Sequence, residues 1–242
     1  MPELNTKETC ELILAELKQL GSEQTKKTLM KHGAKEPFFG VKVADLKKIQ
    51  KRYKKQQELA EELFSTGNSD AMYLAGFVCD PQKISKSTLQ KWAEEAYWYY
   101  LSEYTVAWTA AETPFAWDIA AEWIKHDKEQ IAAAGWNTYS SLLALTPNEE
   151  LPLDLFSQLA DHVAKSIHQQ QNRVRYTMNG FIIALGGQIP ELTEKCKTIG
   201  DQIGKVEVNM GGTACKVPPI RAYIEKVEDK NRVGKKRKTA FC

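Results

Sequence analysis

The sequence lacks the features that mark membrane and disulfide-rich proteins. No apolar run approaches the roughly 18 residues that a membrane span needs, and Met1-Pro2-Glu3-Leu4 begins no signal peptide. The five cysteines are odd in number and widely scattered along the chain, which argues against a disulfide framework. We therefore expect reduced thiols in a cytoplasmic protein that has no contact with a membrane.

Common metal and nucleotide motifs are also missing from the 242 residues. There is no CxxC, HExxH or GxxxxGK[ST], and the four histidines include no close pair of metal ligands. We therefore expect no metal and no cofactor. The hydrophobic share of 43% and the charged share of 26% are those of an ordinary globular protein, and the chain is long enough for a packed core.

What the sequence does have is a strong segregation of charge. Residues 26–55 hold eleven Lys/Arg and two acidic residues, a local net charge of +9, and residues 205–242 hold ten against four, or +6. Because the whole chain is only +2, the remainder sums to −13. Such a field over one part of the surface is typical of a protein whose partner is a nucleic acid. The alternative is a solvated helix face and a flexible basic tail.

Apolar residues recur at helical spacing along nearly the whole chain. Residues 6–20 place Cys10, Ile13 and Leu17 on one face, and Asn5 with Glu8 forms a capping-box-like start. Similar patterns predict further helices, at 43–54, from Thr113, from Asp127 to about Leu145, at 171–186 and at about 219–230. The only candidate strand is Val206-Glu207-Val208, which is too short to support one. The sequence therefore predicts an all-α fold.

Many short helices in series favour helix pairs stacked as a solenoid. A compact irregular bundle is the alternative, because no rigid sequence period is visible. We expect one domain over residues 1–230, interrupted at 204–219 by three glycines and two prolines, and a basic tail at 231–242. The tail has no apolar partners of its own, so we expect its cations to add affinity for a nucleic acid but no stability. These cations include Lys235, Lys236, Arg237 and Lys238.

Three helical segments supply further candidate contact residues. In 43–54, Lys47 and Lys51 share a stripe with Lys48 and Arg52 beside it. In 171–186, the face opposite the apolar residues carries Asn172, Tyr176 and Asn179, with Arg173 and Arg175 nearby. Burying an unpaired polar group costs about 1–3 kcal/mol, so we expect Asn179 and Arg175 on a ligand-facing surface.

Two aromatic features have an equally simple structural explanation. In 128–145, Trp136 and Tyr139 (or Ser140) lie off the main apolar face, which predicts either a ligand-facing surface or a second buried face. The stretch 96–112 contains six aromatic residues, and exposed bases stack on such side chains when cations are near. The alternative there is a helix pair anchored by large side chains. Glu103 and Glu112 are its only carboxylates.

Four segments in succession carry a family resemblance. They are GAKEPFFGVKVADLKKIQK, SDAMYLAGFVCD, WDIAAEWIKHDKEQIAAAGWNTYSSLLAL and NRVRYTMNGFIIALGG. Together, over roughly residues 20–203, they resemble the bacterial DNA alkylation repair family, HEAT-like-repeat proteins related to alkylpurine DNA glycosylases. The resemblance implies a C-shaped stack of antiparallel helix pairs whose basic concave face cradles DNA by its backbone. The stretch from 204 onward resembles the C-terminal segment of one branch of that family.

In the glycosylase branch, a carboxylate near the sugar steadies the oxocarbenium ion, and tryptophans and an arginine shape the site. Trp98 matches one tryptophan, but Ser102 stands four residues on, where that branch has aspartate, and Glu103 follows it. The arginine position falls on or near Tyr139, and the second tryptophan position falls on Gly180 or Phe181. The resemblance therefore implies DNA binding without base excision.

We predict a monomeric DNA-binding protein that grips duplex or branched DNA by its phosphates, through Lys47, Lys51, Arg52, Arg173 and Arg175. The enzyme alternative is a glycosylase that releases cationic N3- or N7-alkylpurines. In it, Glu103 is the catalytic carboxylate, and Trp98 and Trp136 form aromatic walls. A third class, a protein-binding helical scaffold, would leave both basic blocks without a purpose.

Overall fold

A computed structural model of the protein describes residues 5–241, and this part of the chain is helical with irregular connections and no strand. Its α-helices are Thr6–Leu20 (α1), Glu23–Lys31 (α2), Val43–Gln50 (α3), Gln57–Ser65 (α4), Ser69–Val78 (α5), Lys86–Glu95 (α6), Ala107–Ala111 (α7), Ala116–Trp123 (α8), Glu129–Leu145 (α9), Leu153–Ser166 (α10), Asn172–Gln188 (α11), Thr193–Ile203 (α12) and Ile220–Glu228 (α13). A π-helix, Tyr100–Val106, leads directly into α7. The predicted all-α class is confirmed, and none of these helices has both the length and the apolar character to cross a bilayer.

Helix starts follow the local sequence in some places and not in others. The capping box at α1 is confirmed, because the Asn5 side chain accepts from the Glu8 N–H and the Glu8 side chain accepts from the Asn5 N–H. The start predicted at Thr113 is wrong by a few residues. The Thr113 hydroxyl donates backwards to the Ala110 carbonyl, 2.8 Å away, and α8 begins only at Ala116.

The helices are stacked in pairs. One layer, called here the main layer, consists of α3, α5, the π-helix with α7, α9, α11 and α13, each in contact with the next. The other helices back this layer, with α4 against α5, α8 against α9 and α12 against α11. The predicted solenoid of HEAT-like helix pairs is thus confirmed, and the irregular bundle is not formed.

The core has two parts that meet at α9. Ile131 and Ala134 of α9 belong to the apolar cluster of the N-terminal half, while Trp136 and Leu143 belong to that of the C-terminal half. Gly135 lets α9 approach α8 closely, since a Cβ there would lie 2.7 Å from the Ile124 nitrogen. The central helix of the main layer therefore joins both halves.

A buried carboxylate fixes the loop that precedes α3. Asp70, in the first turn of α5, accepts hydrogen bonds from the backbone N–H groups of Phe39, Gly40 and Val41, at 2.6, 3.0 and 3.1 Å. Burial raises the pKa of Asp70, and these three bonds oppose the rise. The contact holds the middle of the first basic block in a defined position against α5.

Candidate nucleic-acid interface

The first basic block, residues 26–55, comprises α2, the loop held by Asp70, α3 and the turn that follows. Nine of its eleven cations are exposed. The pairs that they form are on the surface, such as Lys48 with Asp45 at 2.7 Å, where the lysine side chain remains 76% exposed. Exposed pairs of this kind contribute little stability, so the cations can exchange a carboxylate for a phosphate at small cost.

The stripe predicted on α3 is less uniform than expected. Lys48 and Lys51 are exposed. Lys47 is half-buried, with its Nζ 5.9 Å from the ring centre of Phe77. Arg52 is exposed and forms an ion pair with Glu16. The tertiary neighbours of Lys47 therefore reduce its reach towards a DNA backbone, a correction to the predicted solvent-facing stripe.

The C-terminal residues are docked, which corrects the prediction of a tail without apolar partners. Ala240 is buried, and the ring of Phe241 lies 5.7 Å from those of both Phe77 and Trp108. Glu112 accepts hydrogen bonds from the Thr239 hydroxyl and the Ala240 N–H, at 2.5 and 2.7 Å. Phe241, an aromatic residue in an otherwise polar tail, is the sequence feature that could have indicated this docking.

The docked segment runs past the C-terminal ends of successive helices in the main layer. Gly234 N–H donates to the Gly187 carbonyl of α11, at 3.0 Å, and Arg237 N–H donates to the Ala144 carbonyl of α9, at 2.7 Å. Lys236 Nζ donates to the Leu143 carbonyl at 2.6 Å, and partial burial lowers its pKa. The last carbonyls of a helix have no partner within it and carry the negative end of its dipole. A positively charged segment whose backbone N–H groups can donate to these carbonyls is therefore stabilised at the helix ends.

Docking brings the two basic blocks together in space. Lys47, Lys54 and Lys55 of the first block line one surface depression with Thr239 and Phe241 of the second. The exposed cations Lys235, Arg237 and Lys238 lie just before this contact in the chain, where the segment passes the ends of α11 and α9. Two charge blocks far apart in sequence thus form one basic edge, defined as residues 42–55 with 232–241.

The aromatic stretch forms an internal ladder of rings. Trp98 is 7% exposed, its Nε1 donates to the Ser69 hydroxyl at 2.9 Å, and its ring stacks on Tyr100 at 5.0 Å. Tyr100 contacts Tyr104, and Tyr104 contacts Trp108, which reaches Phe241. Trp98 therefore anchors the fold, and its role as an exposed wall of a catalytic site is not supported.

The π-helix changes which way the residues after Trp98 face. An α-helix would place Ser102 on the same face as Trp98, but a π-helix has i→i+5 hydrogen bonds and therefore shifts the following side chains around its axis. In this helix both Ser102 and Glu103 are buried, and Glu103 is completely excluded from solvent. The Asn137 side chain donates to the backbone carbonyl of Glu103, at 2.8 Å. No local sequence pattern indicates this helix type.

The Glu103 carboxylate is held by Arg173 of α11. Arg173 Nε and Nη2 donate to its two oxygens, each at 2.6 Å, and the arginine side chain is only 14% exposed. Burial raises the pKa of the Glu103 carboxyl, and the bonds from Arg173 oppose the rise. The guanidinium also lies over the rings of Tyr99 and Tyr176, at 4.1 and 4.3 Å. Arg173 therefore faces the interior and not the solvent-exposed surface predicted for it, while the assignment of the half-buried Tyr176 to DNA binding stays a prediction.

Tyr99 links this ion pair to the first basic block. Its hydroxyl oxygen lies 2.6 Å from Nδ1 of His32, the residue that follows α2. Burial raises the pKa of Tyr99 to about 12. Neither Tyr99 nor His32 was singled out from the sequence, because their partners come from distant helices.

Segment 204–219 covers the polar stripe of α11. Asn172 Nδ2 donates to the Asn209 carbonyl and Asn172 Oδ1 accepts from the Asn209 N–H, at 2.9 and 2.7 Å. Asn179 is 1% exposed, and its Nδ2 donates to the Pro218 carbonyl at 2.9 Å. Asn179 is therefore satisfied by the chain itself and not by an external ligand, a correction to the prediction. Arg175 is half-buried between α11 and this segment.

Trp136 and Tyr139 occupy the second buried face of α9. Trp136 is completely buried and lies 5.1 Å from the Phe181 ring, and Tyr139 is 2% exposed and lies 6.0 Å from the Phe156 ring. Their assignment to DNA binding is therefore wrong in this fold, since neither ring reaches the surface. Across residues 5–241, no three His, Cys, Asp or Glu side chains are placed to hold a metal ion.

Comparison with known proteins agrees with this architecture. The family model described as "DNA alkylation repair enzyme" matches residues 13–195. The uncharacterized protein Lmo0209 of Listeria monocytogenes serovar 1/2a is 34% identical over 223 residues, which cover 90% of this chain and 96% of that protein. The uncharacterized protein Lin0241 of Listeria innocua serovar 6a is 35% identical over 225 residues, with the same coverage of both chains.

A solved structure is also similar over nearly the full length. It has a TM-score of 0.89 and 38% sequence identity, and the match covers 96% of this chain and 99% of the other. That structure represents "a new family of proteins related to the HEAT-like repeat DNA glycosylases with affinity for branched DNA structures".

Proposed function

This chain belongs to the DNA alkylation repair family, and from that membership we propose that it grips duplex or branched DNA by the phosphate backbone without excising a base. The observation that carries the proposal is the basic edge, in which residues 42–55 and 232–241 meet. Backbone phosphates are spaced along a line, so two groups of exposed cations that meet on one surface can contact more phosphates of one DNA molecule than either group alone.

The state of Glu103 supports binding without excision. A glycosylase of this family needs a carboxylate beside the sugar of the damaged nucleotide, where it offsets the developing positive charge. Glu103 has no exposed surface, and Arg173 already occupies both of its oxygens. Freeing it would leave two buried charges without partners, which is costly. The enzyme alternative therefore requires a rearrangement of α11 against the π-helix.

Branched DNA is the substrate form that the comparison favours. The similar solved structure is of a family with affinity for branched DNA. In this chain, the basic edge turns from the ends of α11 and α9 to α3. A junction places the phosphates of more than one arm close together, so it offers a wider negative surface than a straight duplex.

One assay tests binding and excision together. Purified protein is incubated with methylated duplex, a four-way junction and plain duplex of matched sequence, and both retention and base release are scored. We expect retention of all three, tightest for the junction, and no release of methylpurine. Robust release that Glu103→Gln abolishes without unfolding the protein would overturn the proposal. Loss of all retention at low salt would overturn the binding function itself.

A further inference from the structure

A large cavity lies between the N-terminal half of α11 and segment 204–219. Its volume is about 1000 Å³. The segment is tied to α11 at two points, through Asn209 to Asn172 and through Pro218 to Asn179, and the cavity occupies the space between them. Its walls combine cations with apolar side chains, so the cavity differs from the basic edge in both shape and chemistry.

The guanidinium of Arg175 has most of its hydrogen-bonding capacity unused. Its Nε is buried without a hydrogen-bond partner among the described residues. Its Nη2 lies 3.5 Å from Asn172 Oδ1, a long contact with an oxygen that already accepts from the Asn209 N–H at 2.7 Å. An arginine carries five N–H donors in a planar fork, and buried donors are normally paired. Arg175 Nε therefore lacks an acceptor, and Nη2 has only a distant one.

The local electrostatics favour an anion as that acceptor. Lys205 and Lys216 also line the cavity, and Glu207 is its one acidic lining residue. With Arg175, these side chains give a net charge of +2. The first turn of α11 has its own carboxylate partner, since the Arg173 N–H donates to Glu129 Oε1 at 2.7 Å, so the positive field of the cavity comes from its side chains.

We propose that this cavity binds a phosphate monoester, the terminal phosphate of a DNA strand or of a free nucleotide. A monoester carries close to two negative charges at neutral pH, which matches the net charge of the lining. The fork of Arg175 suits bidentate contact with two phosphate oxygens. Val206, Val217 and Pro218 provide an apolar wall for the sugar. Binding of a phosphorylated DNA strand end rests on the proposed function, whereas binding of a free nucleotide does not.

Two binding arms test the site and separate the two sources. In the first, anisotropy compares a short labelled duplex bearing a 5′-phosphate with the same duplex bearing a 5′-hydroxyl. We expect the phosphorylated end to bind on the order of tenfold more tightly. In the second, calorimetry compares deoxyadenosine monophosphate with deoxyadenosine, and we expect heat from the monophosphate only. Binding of the duplex end alone assigns the site to DNA ends, and binding of both assigns it to terminal phosphates in general.

Variants decide whether Arg175 is responsible. Arg175→Ala and, separately, the exposed Lys216→Ala should each reduce the phosphate preference, and Lys7→Ala on the distant α1 should not. The proposal is overturned if the wild type shows neither a preference for the phosphorylated end nor binding of the monophosphate, or if Arg175→Ala retains the full preference. A 5′-hydroxyl junction tests the proposed function separately, since its retention needs only the basic edge.

Discussion

Arg173 donates hydrogen bonds of 2.6 Å to both carboxylate oxygens of Glu103, a residue 70 positions earlier in the chain. This ion pair joins the π-helix to the first turn of α11, and the rings of Tyr99 and Tyr176 cover the guanidinium. It uses one of the two carboxylates of the stretch 96–112 and one of the cations predicted to contact DNA. The pair therefore holds both side chains in the interior of the fold.

Glu103→Gln should destabilise the protein by about 3 kcal/mol, because removing one partner leaves a buried cation without its counter-charge. Chemical denaturation monitored by circular dichroism measures the loss. Glu95→Gln, which breaks an exposed pair with Lys91, is the matched control and should change the stability by less than about 0.5 kcal/mol. Equal effects from the two variants would contradict an internal role for the pair.

Replacing both partners should cost less than the two single losses added together. In the double variant Glu103→Gln with Arg173→Gln, no uncompensated charge remains in the interior, so the two changes should couple. The same denaturation curves provide the comparison. Strict additivity would show that the carboxylate and the guanidinium act independently.

The docked C-terminal segment should contribute to stability. Phe241→Ala removes a ring that packs against Phe77 and Trp108, which should cost about 1–2 kcal/mol and lower the Tm by about 2–4 °C for each kcal/mol. Deletion of 232–242 should lower the Tm further, since it also removes the bonds to α9 and α11. Lys238→Ala, at an exposed position, is the control. An unchanged Tm after the deletion would mean that the segment does not dock in solution.

DNA binding should fall steeply with salt. If about six phosphates are neutralised, log K should fall against log salt concentration with a slope of roughly −5. The triple variant Lys48→Glu, Lys51→Glu and Lys54→Glu should weaken binding to every DNA form alike, because phosphate contacts carry no sequence information. A charge-matched triple variant at the exposed lysines 7, 125 and 165 should bind nearly as well as the wild type. A flat salt response would exclude the basic edge as the contact surface.

Thiol reactivity should single out Cys215. Burial raises the pKa of Cys10 to about 11 and that of Cys196 to about 12, and it also raises the pKa of Cys79, while Cys215 is exposed. The thiolate is the reactive form, so the three buried cysteines should be inert in the native protein at mildly alkaline pH. Cys242 lies outside the described residues, and a Cys242→Ser background removes it from the count. One rapidly modified thiol, lost in Cys215→Ser, is expected, and rapid modification of a second would contradict this account.

The sequence by itself determined the helical class, the main helix positions and the distribution of charge. The helix predicted at 171–186 is Asn172–Gln188, and that predicted to end at about Leu145 is Glu129–Leu145. These features follow from contacts between residues three or four apart, which apolar periodicity and capping residues record directly. The order of the family motifs also supported the prediction of a solenoid of helix pairs.

Only the tertiary structure decided which polar and aromatic residues face solvent. Asn179 lies on the polar stripe predicted for 171–186 and Arg173 lies near it, yet Pro218 and Glu103 satisfy them from 39 and 70 positions away. Phe241 stands in a polar tail, yet it completes a ring cluster begun at Phe77. The burial of such a side chain depends on a partner that only the folded chain brings near, and no local pattern encodes that partner.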